Sequence, residues 1–298
     1  MEGENMDTRA YAIGGDDFRL DTYRHQEFWS WKIAFAFFFG DVGGGLFLFS
    51  SFYEFHLGML LGWIMVTVFK PIALFMHLGK PARFWRAAMN PGKSWITRGL
   101  LASVLFSGFG FIHLVNNYFG ILPGALSAII YWIAILSSVG VIIYLGFVLS
   151  YSPSIRLWNT GLMPIMCLNY GFLGGVTLLI LLGYSTFDAN TLHLLKVLEL
   201  CFVLFGIVLM LSFLHGVMYS SNAGRRSVQL LLKQKYAVWF VGAVIGIGLL
   251  LTAFLIALES ASLSVLLTIA VAELIGDIGF KITLFKAATF EPVMCRFA

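Results

Sequence analysis

The chain predicts an all-α polytopic membrane protein of eight transmembrane helices, on three observations. Of its 298 residues 59% are hydrophobic and only 11% charged, against about 25% charged in soluble domains, and mean hydropathy is +0.88. Apolar stretches of about twenty residues, the length that crosses a bilayer as a helix, recur along almost the whole length. The cationic residues gather in connections that an eight-helix chain places on one side.

Residues 1–28 form a polar N-terminal segment with no short apolar core and no small-residue cleavage site, so no signal peptide is read. The membrane domain is 29–298. Its spans are placed at 29–53, 56–77, 99–119, 125–150, 164–184, 192–220, 237–258 and 262–285. Connections from odd to even spans are short, the last being 259–261. Those from even to odd spans are longer and polar. Eight spans put both termini and every long connection on one side.

That side holds Arg9, Arg19, Arg24, Lys32, Lys80, Arg83, Arg86, Lys93, Arg98, Arg156, Arg225, Arg226, Lys233, Lys235, Lys286 and Arg296, sixteen of the nineteen Lys and Arg. The short loops opposite hold none. The positive-inside rule then makes the basic side cytoplasmic. The densest part runs from His77 to Arg98 and includes Trp85 and Trp95, a composition suited to the headgroup level and to an anion or polar ring.

Phe39-Gly-Asp-Val-Gly-Gly-Gly-Leu in the first span echoes Tyr170-Gly-Phe-Leu-Gly-Gly-Val in the fifth. The echo fits two parallel four-helix halves; it fits equally a place where helices come close.

Ionisable groups inside the hydrocarbon are costly and face a cavity, a partner or a pathway. Asp41 lies about 18 Å into the first span by helical rise, and Lys70, before Pro71, about 10 Å from the basic side. A pair between them is one reading. Glu273, Asp277 and Lys281 share a face at i, i+4 and i+8. They either neutralise one another, leaving Glu273 in need of a proton or partner, or relay protons toward the basic side. Lys196 and Glu199 are placed nearer the opposite surface, as poorer candidates.

Cys167, Cys201 and Cys295 stand singly, so this chain alone supplies no iron–sulfur or cysteine zinc site. His77 and His215 are the only histidine pair at matching depth on the basic side, which disfavours a bis-histidine haem. His77 ends a span, where it can cap carbonyls. Beside Lys80, Arg83 and Arg86 its imidazolium is disfavoured, and a neutral ring accepts a hydroxyl hydrogen bond and its proton, as a quinol would offer.

Four places resemble the polysulfide reductase/NrfD-type membrane subunits and the related DmsC-type anchors of dimethyl sulfoxide reductases. They are Gln26-Glu-Phe-Trp29-Ser-Trp31 with Gly40–Gly45; His77-Leu-Gly-Lys-Pro-Ala-Arg83-Phe with Ser94-Trp-Ile-Thr-Arg98-Gly; Arg156-Leu-Trp158-Asn-Thr-Gly-Leu-Met-Pro164; and Ala272-Glu273-Leu-Ile-Gly276. The second resembles the family's H-L-G-x-P-x-R and is the most specific. Two places depart from the pattern. Asp277 stands where G-E-L-I-G-R has arginine, and Ile33 and Ala36 stand where polysulfide reductases carry polar residues.

The resemblance implies two four-helix bundles, 29–150 and 164–285, without haem or metal in this chain. It implies an iron–sulfur electron-transfer subunit as partner, with a molybdenum or tungsten catalytic subunit beyond it. Quinone or quinol (menaquinone or ubiquinone) is the expected cofactor, bound near His77 in a complex of anaerobic respiration. Lys80, Arg83 and Arg98 fall within the same motifs as pocket or docking residues, with Trp29 and Trp31 beside them. Asp41, Lys70, Glu273 and Asp277 are the proton-pathway expectation. Many relatives dock their partner outside the cytoplasmic membrane, in which case the cations serve an acidic partner surface instead of setting topology. The competing class is a secondary transporter, with Lys70-Pro71 breaking a helix and mid-membrane acids binding a coupling ion.

Overall fold

The structure is a computed structural model that describes residues 18–20, 23–258, 262–292 and 294–296. Arg9 and the 259–261 connection lie outside the described residues. Eight helices are long and apolar enough to cross a membrane: α1 (Trp31–Phe52), α2 (His56–His77), α3 (Trp95–Phe119), α4 (Gly124–Ser150), α5 (Leu162–Gly183), α6 (Ala189–Met218), α8 (Val238–Ala257) and α9 (Leu263–Lys286). A shorter helix, α7 (Asn222–Leu232), joins α6 to α8, and a 3-10 helix occupies Pro81–Ala88.

Of the helices that begin earlier than the hydrophobic pattern suggests, α3 and α6 are displaced most, and a side-chain cap explains each. Ser94 Oγ accepts from the Thr97 amide (3.3 Å), starting α3 at Trp95. Asp188 accepts from the Asn190 and Thr191 amides at 3.1 and 3.3 Å and from the Thr191 hydroxyl at 2.6 Å. These bonds, the hydroxyl first, hold the Asp188 carboxyl below its ordinary range and start α6 at Ala189. Such caps satisfy amides that the first helical turn leaves unpaired.

α1 is the centre of the molecule: 89% of its most apolar stretch is buried, against 22% for α3. Its glycines allow this. A Cβ at Gly45 would lie 1.9 Å from the Gly171 carbonyl oxygen of α5, and one at Gly175 would lie 2.3 Å from the Gly45 carbonyl carbon. The glycine echo in the sequence is therefore the point where α1 and α5 cross backbone to backbone. α1 also packs on α2, α4 and α9, and α4 packs on α5, so no gap divides 29–150 from 164–285.

The Lys70–Pro71 step does not break its span. The helix runs from His56 to His77 through a π-helical turn at Met65–Phe69, and such a turn accommodates a local misfit by widening the helix instead of ending it.

The first and last described segments meet on one face. Strands β1 (Phe18–Leu20) and β2 (Met294–Arg296) pair antiparallel, His25 bridges to Thr289, and the Gln26 amide donates to the Ala288 carbonyl (2.9 Å). Gln26 Nε2 donates to the carbonyl of Phe285 (3.0 Å) and Trp158 Nε1 to that of Leu284 (3.0 Å). The 151–161 connection is thereby tied to the same clasp.

Candidate functional site

The charged residues of α9 form a ladder against α1 and α5. Lys281 Nζ lies 3.3 Å from Asp41 Oδ2 and also forms an ion pair with Asp277 one turn away. The Tyr170 ring sits 5.6 Å from the same ammonium. Asp41, Asp277 and Lys281 are all buried. An isolated charge at this depth costs several kcal/mol, roughly, so a cation shared by two carboxylates is what allows the trio to exist there.

The Asp41–Lys70 pair, one reading of the sequence, is not formed. Lys70 donates instead to Ser103 Oγ on α3 (2.8 Å), with the Tyr144 ring 4.7 Å away. Its stem lies 3.2 Å from where a Cβ on Gly40 would be. The carboxylate of Asp41 is taken by Lys281, which the packing of α9 on α1 brings alongside.

One turn further along α9, Glu273 reaches the Thr177 hydroxyl of α5, and Glu199 of α6 reaches the same hydroxyl at 2.7 Å. A hydroxyl carries one proton, so it cannot donate to both. That proton also has the Leu173 carbonyl within reach at 2.9 Å, so at least one of the two carboxyl groups donates to Thr177, and that requires a carboxyl proton. Oxygens of Glu199, Glu273, Asp277 and Asn169 in this region have no hydrogen-bond partner among the described residues. The arrangement can hold a proton and pass it across a shared hydroxyl.

Glu199 was placed near the surface by the sequence, but it is buried. The Asp188 cap is the missed signal: with α6 starting at Ala189, Glu199 falls about 15 Å inside by helical rise. Thr177 carried no sequence signal of its own.

The basic segment lies at the edge of the helices. His77 ends α2, half-buried, and its ring makes no hydrogen bond among the described residues. The start of α1 stands beside it: Lys32 Nζ donates to the Met76 carbonyl (3.2 Å), and Trp31, 47% exposed, lies 6.0 Å from the same ammonium. Lys80, Arg83 and Arg86 are exposed on the 3-10 helix. Arg98 is engaged locally. It donates to the carbonyls of Pro91 (3.0 Å) and Gly92 (2.8 Å) and stacks on Trp95 at 4.3 Å.

Trp29 is directed elsewhere, into a cluster with Phe37, Trp158 and Phe285 at 6.0, 5.2 and 5.2 Å. Of the residues expected around His77, Trp31 stands at the adjoining start of α1, Lys80 and Arg83 are exposed with no ion pair among the described residues, and Trp29 and Arg98 are committed to packing. His215 is exposed, with its ring against Tyr219 (4.9 Å). His113 is buried between Phe47 and Tyr131.

Among the described residues no three His, Cys, Asp or Glu side chains are grouped to hold a metal ion. No curated protein matches the chain. The family model described as polysulphide reductase, NrfD matches residues 21–290, a stretch that contains both the charge ladder and the basic edge. The chain belongs to the polysulphide reductase NrfD family, membrane subunits of oxidoreductase complexes.

Proposed function

We propose that the protein is the quinone-reactive membrane anchor of a multisubunit oxidoreductase, exchanging electrons between membrane quinol and a docked iron–sulfur subunit. The observation that carries the reading is the half-buried His77 imidazole, without a hydrogen-bond partner among the described residues, at a lipid-facing edge where the start of α1 meets the end of α2. An amphiphile with a hydroxyl head fits that position: its tail stays in lipid and its head meets a free ring nitrogen.

A bound quinol supplies two electrons and two hydroxyl protons. His77 would accept the hydrogen bond of one hydroxyl and take up its proton, and the second proton would leave to water at the exposed edge. Trp31 offers an exposed aromatic face to the ring, and Lys32, fixed on the Met76 carbonyl, keeps the two helix ends together. Trp29 and Arg98 act as positioning residues, one seating the start of α1 and the other bracing the turn before α3. Lys80 and Arg83, exposed and without carboxylate partners among the described residues, suit an acidic surface on the iron–sulfur subunit, beyond which a molybdenum or tungsten catalytic subunit stands.

The ladder from Glu273 through Asp277 and Lys281 to Asp41, with Lys70 alongside, handles protons within the membrane. The basic face is assigned to the cytoplasm by its charge.

The test is His77→Ala in the intact complex. General-base groups contribute about 10²–10⁴ in rate, so quinol-linked turnover should fall by at least about 100-fold while the complex assembles normally. Normal turnover contradicts the assignment.

A further inference from the structure

We propose that the groove between α8 and α9, at the face carrying the chain ends, binds an anionic phospholipid, with its phosphate on Lys235 and Lys286 and an acyl chain between the helices.

The groove encloses about 490 Å³. Lys235 and Lys286 stand at its mouth together with Tyr236. Below them the walls are Trp239, Ile275 and Ile278, while Ala243 and Gly279 leave the space open. Trp239 is 68% exposed and Ile275 42%, so in a membrane this surface meets lipid. Cations and aromatic rings at the headgroup level above an apolar cleft match a phospholipid in both chemistry and order.

Both lysines are exposed, and neither forms an ion pair among the described residues. Glu27 borders an adjoining hollow on the other side of the same two lysines without pairing with either. Glu291, the next carboxylate at this end, lies 3.6 Å from Arg156. Lys235 is held 5.6 Å from the Tyr236 ring. The Thr283 hydroxyl is spent on the Gly279 carbonyl (2.7 Å). The mouth therefore offers charged donors, which suits the acceptor oxygens of a phosphodiester better than the hydroxyls of a quinol.

The proposal is independent of the quinol site and is read without turnover. Full-length protein in neutral detergent is titrated with phosphatidylglycerol and followed by native mass spectrometry. One lipid per chain should be retained preferentially. A basic residue near the surface is worth about fivefold in binding an anionic lipid, so Lys235→Gln with Lys286→Gln should weaken retention by about 25-fold. The paired Lys→Arg replacements should keep it, and Arg86→Gln with Lys93→Gln, an equal loss of charge elsewhere, should leave it unchanged. Equal retention of phosphatidylcholine, equal binding of inorganic phosphate alone, displacement by a soluble quinone analogue, or an equal loss in the Arg86/Lys93 variant would each overturn the proposal.

Discussion

Two groups of charged residues in this molecule obey opposite rules. Along α9, Lys281 is shared by Asp41 and Asp277, and Glu273 and Glu199 meet on one hydroxyl. Every member is buried; the Lys281 ammonium is answered by two carboxylates, and the two glutamates by a shared hydroxyl and a carboxyl proton. From Lys80 to Arg86 the cations project from a 3-10 helix with no carboxylate beside them among the described residues. The difference is one of solvent. In hydrocarbon an unanswered charge destabilises the fold, so pairing there is a condition of folding; at the membrane surface water answers the charge, and cations can be left for another molecule.

The largest effect should come from breaking the first group. Lys281→Met leaves Asp41 and Asp277 facing each other without a cation, and removing one partner of a buried pair costs about 3–5 kcal/mol. Thermal unfolding in detergent should show a steep loss. Adding Asp41→Asn and Asp277→Asn should restore most of the stability, because no charge then remains to be answered. If the triple variant is as unstable as the single one, the ladder is not held by charge pairing.

The second group should respond the other way. Lys80→Gln with Arg83→Gln should change stability by no more than about 0.5 kcal/mol, yet the complex should lose its partner subunit at lower salt than the unaltered protein does. Unchanged salt dependence would separate these cations from docking.

The smallest effect concerns the clasp of the chain ends. Burial first, then Arg226 and Lys235, holds the His25 imidazole below its ordinary value of 6.5, with Glu27 opposing. The folded state therefore binds fewer protons than the unfolded one. Stability should be level above pH 6.5, fall as pH drops below it, and level again under the lowered folded value. His25→Gln should remove that slope, as hydrogen exchange of the Gln26 amide, bonded to Ala288, would report.

Most of the fold was legible because a bilayer imposes one length and one polarity on every span. The helix starts that moved most did so at Ser94 and Asp188, where a polar cap extends a helix beyond its apolar run. The intrahelical Asp277–Lys281 pair was legible from its spacing alone. Contacts between helices were not. Nothing in the sequence says that Asp41 faces α9 instead of Lys70, or that Glu199 and Glu273 share Thr177, because those depend on how the helices turn about their axes. The glycine echo was visible, but only the crossing of α1 and α5 shows what those glycines are for. The His77 motif stands beside the start of α1, where Trp31 is exposed, while Trp29, two residues away, turns inward to Trp158 and Phe285.

The proposed quinol site is the edge where His77 ends α2 beside Trp31, on the face where the first and last described segments pair. A photoreactive quinone analogue applied to the intact complex in membranes, followed by peptide mapping of the label, tests it most directly. Labelling should fall between Trp31 and Lys32 or between Phe75 and Arg83, and should be lost in His77→Ala. Labelling at the opposite end, around His193 and Lys196, would contradict the account.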